Sequence, residues 1–204
     1  MMHIDRRIVR TKRLLRSALA ELMEEKGFDS ITVSDLTERA DLNRTTFYLH
    51  YRDKFDLLEQ SENEIIDELE QLQSKVKDML PTVLRHPEQV PEQPILYLSS
   101  LLAYMEDNAD FIKVVLGQNG NPAFQVKIKE VMRKNMLSNL TTLLQDRVLP
   151  VPPEYFTSFI SSACLGVIQQ WLDNNRQQTA KEIASFLFSS IYAGVFRTAN
   201  LLDD

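Results

Sequence analysis

Between positions 44 and 51 the chain sets a guanidinium, two hydroxyls, a phenol and an imidazole: Arg44, Thr45, Thr46, Tyr48 and His50. These groups bond to phosphate oxygens and base edges, and none carries a negative charge that would repel a polyanion. A surface helix chosen only for solubility carries more Glu, Lys and Ala. Phe47 and Tyr51 lie four residues apart, so on a helix they share a face, which is assigned to the core. Leu49 completes the segment. The Arg44 fork can pair with O6 and N7 of a guanine or clamp a phosphate, and both readings stay open. Thr45 and Thr46 can bond to either partner. Tyr48 reads as a phosphate ligand through its hydroxyl, because duplex bases are already stacked on one another. His50 donates to phosphate when its tautomer suits.

Three elements must hold that segment in place. Val33, Leu36 and Ala40 recur at helical spacing, with Thr32 just ahead of them to cap the first turn. A tight turn at Asp41-Leu42-Asn43 separates this helix from the next, which spans about Arg44 to Tyr51. Asp53 reads as the N-cap of a long third helix that Lys54 opens, so the Lys54 ammonium and the free N–H groups there can grip one phosphate together. Ahead of all three, a helix from about Arg6 to Lys26 buries Leu15, Ala18, Leu19 and Leu22, and Gly27 ends it where a left-handed cap is needed. Its early turns hold Arg6, Arg7, Arg10, Lys12, Arg13 and Arg16, against the preference of the helix dipole. Two readings account for that: a solvated basic face, or arginines that meet phosphate.

The net charge of −6 over 204 residues alone argues against a nucleic-acid binder. Its distribution does not. Residues 1–60 hold 11 basic and 11 acidic side chains, and the remainder holds 12 and 18. A neutral head with a basic edge on an acidic body orients itself on a polyanion. The single Cys164 excludes an internal disulfide and points to a reducing compartment. No apolar run approaches the ~20 residues that span a bilayer, and no apolar segment follows the first basic residues, so a cytoplasmic protein is expected, without a membrane partner.

The helical period dominates the rest of the chain, so the fold class is all-α. The long helix from Lys54 to about Leu80 has Phe55, Leu58, Ile65, Ile66 and Leu69 on its apolar side and Glu59, Glu62, Glu64, Asp67, Glu68 and Glu70 on an acidic one. Pro81, Pro87, Pro91 and Pro94 then break the pattern. Further helices are expected at about Pro94–Asn108, Asp110–Leu116 and Pro122–Val148, with a GQNGNP turn at 117–122. Two strongly apolar helices follow, about Glu154–Asn174 and Thr179–Leu202. A helix apolar over more than one stripe is buried on most sides. Phe156, Phe159, Ala163 and Val167 on the first, and Phe186, Ser190, Ala193 and Gly194 on the second, either fill the monomer core or face a second copy; a homodimer is the stronger reading.

The stretch TVSDLTERADLNRTTFYLHYRDKFDLL, after a helix ending in Lys26-Gly27-Phe28, resembles the tetracycline-repressor (TetR) family of bacterial regulators. The match runs over roughly residues 8–60 and rests on the spacing from Thr32 through Tyr48 and His50-Tyr51 to Lys54-Phe55-Leu57-Leu58. Beyond residue 60 it is architectural, with the Leu116-Gly117…Asn121-Pro122 turn and the Trp171-Leu172 pair resembling one branch.

The resemblance implies a helix-turn-helix three-helix head at 1–52 and a helical regulatory and dimerisation domain at 53–204, about nine helices in all. It makes Asn43, Arg44, Thr45, Thr46, Tyr48 and His50 the recognition positions, with Thr32 and Lys54 as flanking phosphate contacts. Many members have Gly where Thr45 stands; here a hydroxyl replaces it. It implies a dimer through the last two helices, at Phe159, Ala163, Val167, Phe186, Ser190, Ala193 and Gly194. It also implies a small-molecule effector pocket in the body, for which Tyr104, Met105, Phe111, Phe124, Met132, Met136 and Trp171 are candidates.

No catalytic grouping is evident: His3, His50 and His86 are scattered, and no metal-spaced cluster or Gly-rich phosphate loop occurs, so neither an enzyme nor a cofactor is expected. The leading expectation is a dimeric, sequence-specific regulator of transcription that binds a double-stranded operator, a repressor released by a small-molecule ligand. The alternative is an activator or an adaptor acting through protein partners, supported by the acidic face at Glu59–Glu70.

Overall fold

The structure is a computed structural model that describes residues 6–77, 92–117, 120–144, 151–191 and 194, with the side chains at 72–77, 93, 94 and 139–144 left aside. Among the described residues there is no strand. The helices are α1 (Arg6–Lys26), α2 (Val33–Arg39), α3 (Arg44–Tyr48), α4 (Lys54–Lys77), α5 (Glu92–Asp107), α6 (Ala109–Leu116), α7 (Pro122–Leu144), α8 (Pro153–Asp173) and α9 (Ala180–Ser190), with a 3₁₀ turn at Phe28–Ser30. The expected Pro-rich break from Pro81 to Pro91, the last turn before Val148, and Tyr192, Ala193 and the positions from 195 onward lie outside the described residues.

Two compact units result. The first takes Met1–Ile65 and Asn108–Gln125, the second Ile66–Asp107 and Val126–Asp204. In the first, α1 buries Leu15, Ala18, Leu19 and Leu22 as the spacing predicts, together with Ala20 and Met23. That stripe packs against α2 and α6. Gly27, at φ 73°, ends α1 in a backbone region that costs other residues ~1 kcal/mol or more. α6 contributes Phe111, Ile112, Val115 and Leu116 to the same core. The turn after it depends on Gly120: a Cβ at that position would collide with the Val115 carbonyl. The Asn121 side-chain oxygen accepts from the Ala123 N–H at 3.0 Å, where α7 starts.

Part-buried ion pairing ties this unit together in a way the sequence does not display. Arg16 pairs with Glu64 of α4 and donates to the Asn108 side chain at 2.9 Å, while its guanidinium lies 5.8 Å from the Phe111 ring centre. Lys12 reaches the same Glu64 at 3.3 Å. The acidic side expected of α4 is therefore only partly solvated. Glu62 is 8% exposed and accepts from Asn121 at 3.4 Å, and Glu64 neutralises two of the six clustered cations of α1. Phe55, expected on the apolar side, is 60% exposed and meets the Phe28 ring edge-on at 5.3 Å instead.

In the second unit, α5 packs along α9. α8 buries Ile160, Cys164, Leu165, Ile168, Trp171 and Leu172. The Trp171 indole N–H donates to the Gln178 carbonyl at 2.7 Å, bracing the bend in which Asn175 and Arg176 both adopt positive φ. Thr179 and Glu182 form a reciprocal capping box that starts α9. Phe159 and Phe186, expected to be buried, are 64% and 57% exposed in the isolated chain.

Candidate nucleic-acid interface

The α2–α3 pair is built around one anchored face. Thr32 caps α2: its hydroxyl accepts from the Asp35 N–H at 3.2 Å, and the Asp35 carboxylate accepts in return from the Thr32 N–H at 2.8 Å and its hydroxyl at 2.7 Å. Lys26 closes on the same carboxylate at 2.8 Å. That ammonium, followed by the Thr32 hydroxyl and N–H, holds the Asp35 carboxyl well below its ordinary value. The turn to α3 passes through Asp41 at φ 52°, a region that short polar side chains tolerate. Asn43 then caps α3, its side-chain oxygen accepting from the Thr46 N–H at 2.7 Å and the Thr46 hydroxyl at 2.9 Å.

α3 is shorter than its apolar spacing predicts. It closes at Tyr48, because the His50 N–H turns back to the Phe47 carbonyl at 3.0 Å, the same oxygen that accepts from the Tyr51 N–H at 2.9 Å. Phe47 and Tyr51 are nevertheless both buried, with ring centres 5.7 Å apart, and they fix the inner face as expected. Burial pushes the Tyr51 phenol up to about 12.

What remains outside is the candidate contact surface. Asn43, Arg44 and Thr45 are exposed, Tyr48 is 58% exposed with its ring edge-on to Phe47, and Thr32 is exposed beside them in sequence order at the α2 cap. Thr46 and His50 are half-buried; the Thr46 hydroxyl proton is committed to Asn43, and the His50 ring lies 6.3 Å from that of Tyr51. Lys54 differs most from its expected part. Its ammonium donates to the carbonyls of Phe28 at 3.0 Å and Asp29 at 2.8 Å, and sits 4.9 and 5.3 Å from the centres of the Phe28 and Phe55 rings. An ammonium has three donors, so one is left for a phosphate.

Two residues of this surface had no role assigned from the sequence. Leu49 is 75% exposed on the outer side of α3. Arg52 is exposed just beyond it, 3.5 Å from Asp56, whose buried carboxylate accepts from Gln60 and the Arg52 N–H and is lowered chiefly by the first. Asp53 caps α4 as expected, accepting from the Asp56 N–H at 2.9 Å. Along α1, Arg6, Arg7, Arg10 and Arg13 are exposed, while Lys12 and Arg16 are turned to Glu64.

The candidate effector residues divide between the units. Phe111 and Phe124 belong to the first; Tyr104, Met105, Met132, Met136 and Trp171 belong to the second. All are buried except Tyr104 and Met136, which are half-buried. The candidate dimer residues do come together. Phe159, Ala163 and Val167 of α8 and Phe186, Ser190 and Gly194 line one open, largely apolar groove of about 590 Å³ in the second unit, with Tyr155, Phe156 and Cys164. Ala193 lies outside the described residues. Burial raises the Cys164 thiol to about 11, so it is an inert apolar group. Among the described residues no cluster of His, Cys, Asp and Glu is placed to hold a metal ion, and no helix is long and apolar enough to cross a membrane.

Known proteins resemble this chain at both levels. Residues 15–60 match the family model described as bacterial regulatory proteins, tetR family, and residues 92–192 match that of a transcriptional regulator C-terminal region, TetR_C_8. A 71-residue stretch is 44% identical to YxbF of Bacillus subtilis (strain 168), described as an uncharacterized HTH-type transcriptional regulator. The match covers 32% of this chain and only 19% of YxbF. Among solved structures, a TetR transcriptional regulator from Streptococcus agalactiae 2603V aligns over 92% of this chain and 96% of its own, at 21% identity and a TM-score of 0.54. The dihydroxyacetone kinase operon activator DhaS aligns over 95% and 98%, at 14% identity and a TM-score of 0.58. FadR of Bacillus subtilis, solved with stearoyl-CoA, aligns over 89% and 98%, at 16% identity and a TM-score of 0.54. At such identities the structures establish the fold, a helix-turn-helix head with a helical body. With the head and the body each matched by a model of one family, the chain belongs to the TetR family of transcriptional regulators.

Proposed function

We propose that this protein is a homodimeric, sequence-specific DNA-binding regulator, a repressor whose hold on its operator is released by a small-molecule ligand. The observation that carries the DNA reading is the two-sided build of α3: Phe47 and Tyr51 lock one side into the core, and Arg44, Thr45 and Tyr48 stand exposed on the other. Such a helix laid in the major groove offers Arg44 and Thr45 to base edges, with Tyr48, His50, Thr32 and the third donor of Lys54 for phosphates. Asn43 and Thr46 serve chiefly by holding the first turn of α3, through their mutual hydrogen bonds. The exposed arginines of α1 extend the electrostatic footprint. The head is residues 1–52 and the regulatory body 53–204.

The groove between α8 and α9 supplies the dimer. An apolar surface carrying two exposed phenylalanines is covered by an identical surface on a second copy, with Phe159, Ala163, Val167, Phe186, Ser190, Ala193 and Gly194 at the contact. Two heads held this way bind successive major grooves, about 34–36 Å apart or somewhat more. The effector is proposed to enter the body near Tyr104, Met105, Met132, Met136 and Trp171, with Phe111 and Phe124 the weaker candidates. Support for a ligand of this kind comes from FadR structures solved with lauroyl-CoA and stearoyl-CoA. The ligand must bind two conformations unequally, or it shifts nothing. One observation favours a second reading, an activator: DhaS, of the same fold, is described as an operon activator.

The test is binding of the purified protein to the DNA upstream of its own coding sequence, against random duplex at moderate salt. A preference of about a thousandfold or more is expected. Equal affinity for both sinks the proposal.

A further inference from the structure

The exposed face of α3 is not uniformly polar. Leu49, at its C-cap, is 75% exposed, more than Tyr48 at 58% or Phe159 and Phe186 of the α8–α9 groove. Its backbone is still helical, at φ −69° and ψ −21°, so helical geometry places its side chain. Leu49 follows buried Phe47 by two residues, about 200° around the axis, and Thr45 by four, which puts it one turn above Thr45 on the outermost stripe. An exposed leucine is ordinary on most surfaces. On the crest of a helix that enters a major groove it has a specific chemical consequence, because base edges there offer hydrogen-bonding groups at every position and one apolar group, the C5-methyl of thymine.

The geometry points to Leu49 as a specificity-determining residue that packs on a thymine methyl and so selects a T·A pair at one operator position. The inference rests on the DNA-binding reading and deepens it. Hydrogen bonds from Arg44, Thr45 or Tyr48 to a thymine O4 do not register the methyl, which only apolar contact does. The Thr45 methyl can make such contact too, and Leu49, the larger apolar group one turn above it, is the contribution that the Leu49→Ala arm isolates.

Selection from a random duplex pool, done in parallel with wild type and Leu49→Ala, tests this. Wild type is expected to enrich a site containing a T·A pair that Leu49→Ala no longer demands, the other positions being unchanged. Replacing that thymine by deoxyuridine removes only the methyl. It should weaken wild type about fourfold, the effect of one buried methyl group, and leave Leu49→Ala unaffected. A Leu49→Met variant keeps an apolar contact and should retain the preference. If both proteins enrich the same site with the same sensitivity to deoxyuridine, Leu49 does not read the methyl. If wild type enriches no sequence, the DNA-binding reading falls and this inference falls with it. If Leu49→Ala unfolds, Leu49→Gln, of similar length but with a polar end, takes its place and should likewise lose the sensitivity to deoxyuridine; an unchanged sensitivity in that variant overturns the inference.

Discussion

The outer face of α3 and the α8–α9 groove are both exposed in the isolated chain, and they are made of opposite materials. α3 presents Arg44, Thr45 and Tyr48 over a locked core of Phe47 and Tyr51. The groove presents Phe159 and Phe186 over Ile160, Cys164 and Leu187. A polar face is well hydrated when empty, so its partner is optional and its binding is sensitive to salt. An apolar face gains ~25 cal/mol for each Å² covered, so it favours permanent cover and responds little to salt. The first is suited to contacts that come and go, the second to an assembly that persists.

The strongest way to break this contrast is to make the groove polar. Replacing Phe159 and Phe186 together by Asp should convert the protein to a monomer by sedimentation and cost about a hundredfold or more in operator affinity, through loss of the second head. An unchanged sedimentation coefficient would remove the groove from the interface. Next comes Arg44→Ala, expected to lose about 1–3 kcal/mol of binding with no change in melting temperature. Competition against single-base variants sharpens it: relaxed preference at one position means base contact, whereas a uniform loss with a salt slope lower by about one means phosphate.

Gly120→Ala should leave the contact chemistry alone and destabilise the first unit by about 1–3 kcal/mol in urea, since a Cβ has no room beside the Val115 carbonyl. Lys54→Met keeps the apolar stem between Phe28 and Phe55 while removing the ammonium from two carbonyls. It should cost about 1 kcal/mol of stability, with the salt slope lower by about one only if the third donor grips a phosphate.

The smallest effects lie in pH. The Asp35 carboxyl is lowered in the folded state, by Lys26 first and Thr32 next. Its contribution is therefore present above the ordinary carboxylate range and disappears as pH falls through the folded value. Cys164 runs the other way. Its thiol is raised from 9.0 to about 11 by burial, so its contribution is present below 9 and is lost as pH rises toward 11. Asp35→Asn should flatten the acid limb of a stability profile, and Cys164→Ala the alkaline limb, each leaving the other limb in place.

Local chemistry was legible in the sequence, and distant chemistry was not. The cap at Thr32, the cap at Asp53, the Phe47–Tyr51 anchor and the α1 stripe all involve partners within one or two turns, where residue type and spacing suffice. The two carbonyls that hold Lys54 were not visible beside its expected phosphate contact, because they lie 26 and 25 residues away. Lys12 and Arg16 looked like part of the basic edge because Glu64 is 52 residues from the first. Leu49 was placed in the segment outside the core pair but given no role, because apolar spacing marks cores and assigns nothing to an apolar group facing out. The short α3 escaped because Tyr51 keeps its buried place after the helix has ended, so the pattern continues past the hydrogen bonds.

The indole of Trp171 is the chain's single tryptophan, buried, with its N–H held by the Gln178 carbonyl. Light emitted by the protein on excitation at the red edge of its absorption therefore comes from one place, the α8–α9 junction in the second unit. Its emission will sit toward the blue while that junction is closed and move toward the red when water reaches it. The six tyrosines, two of them at Tyr48 and Tyr51 in the first unit, absorb elsewhere. The molecule thus carries its own optical label on the side away from the recognition chemistry in sequence, and melting of the body can be timed without attaching a dye.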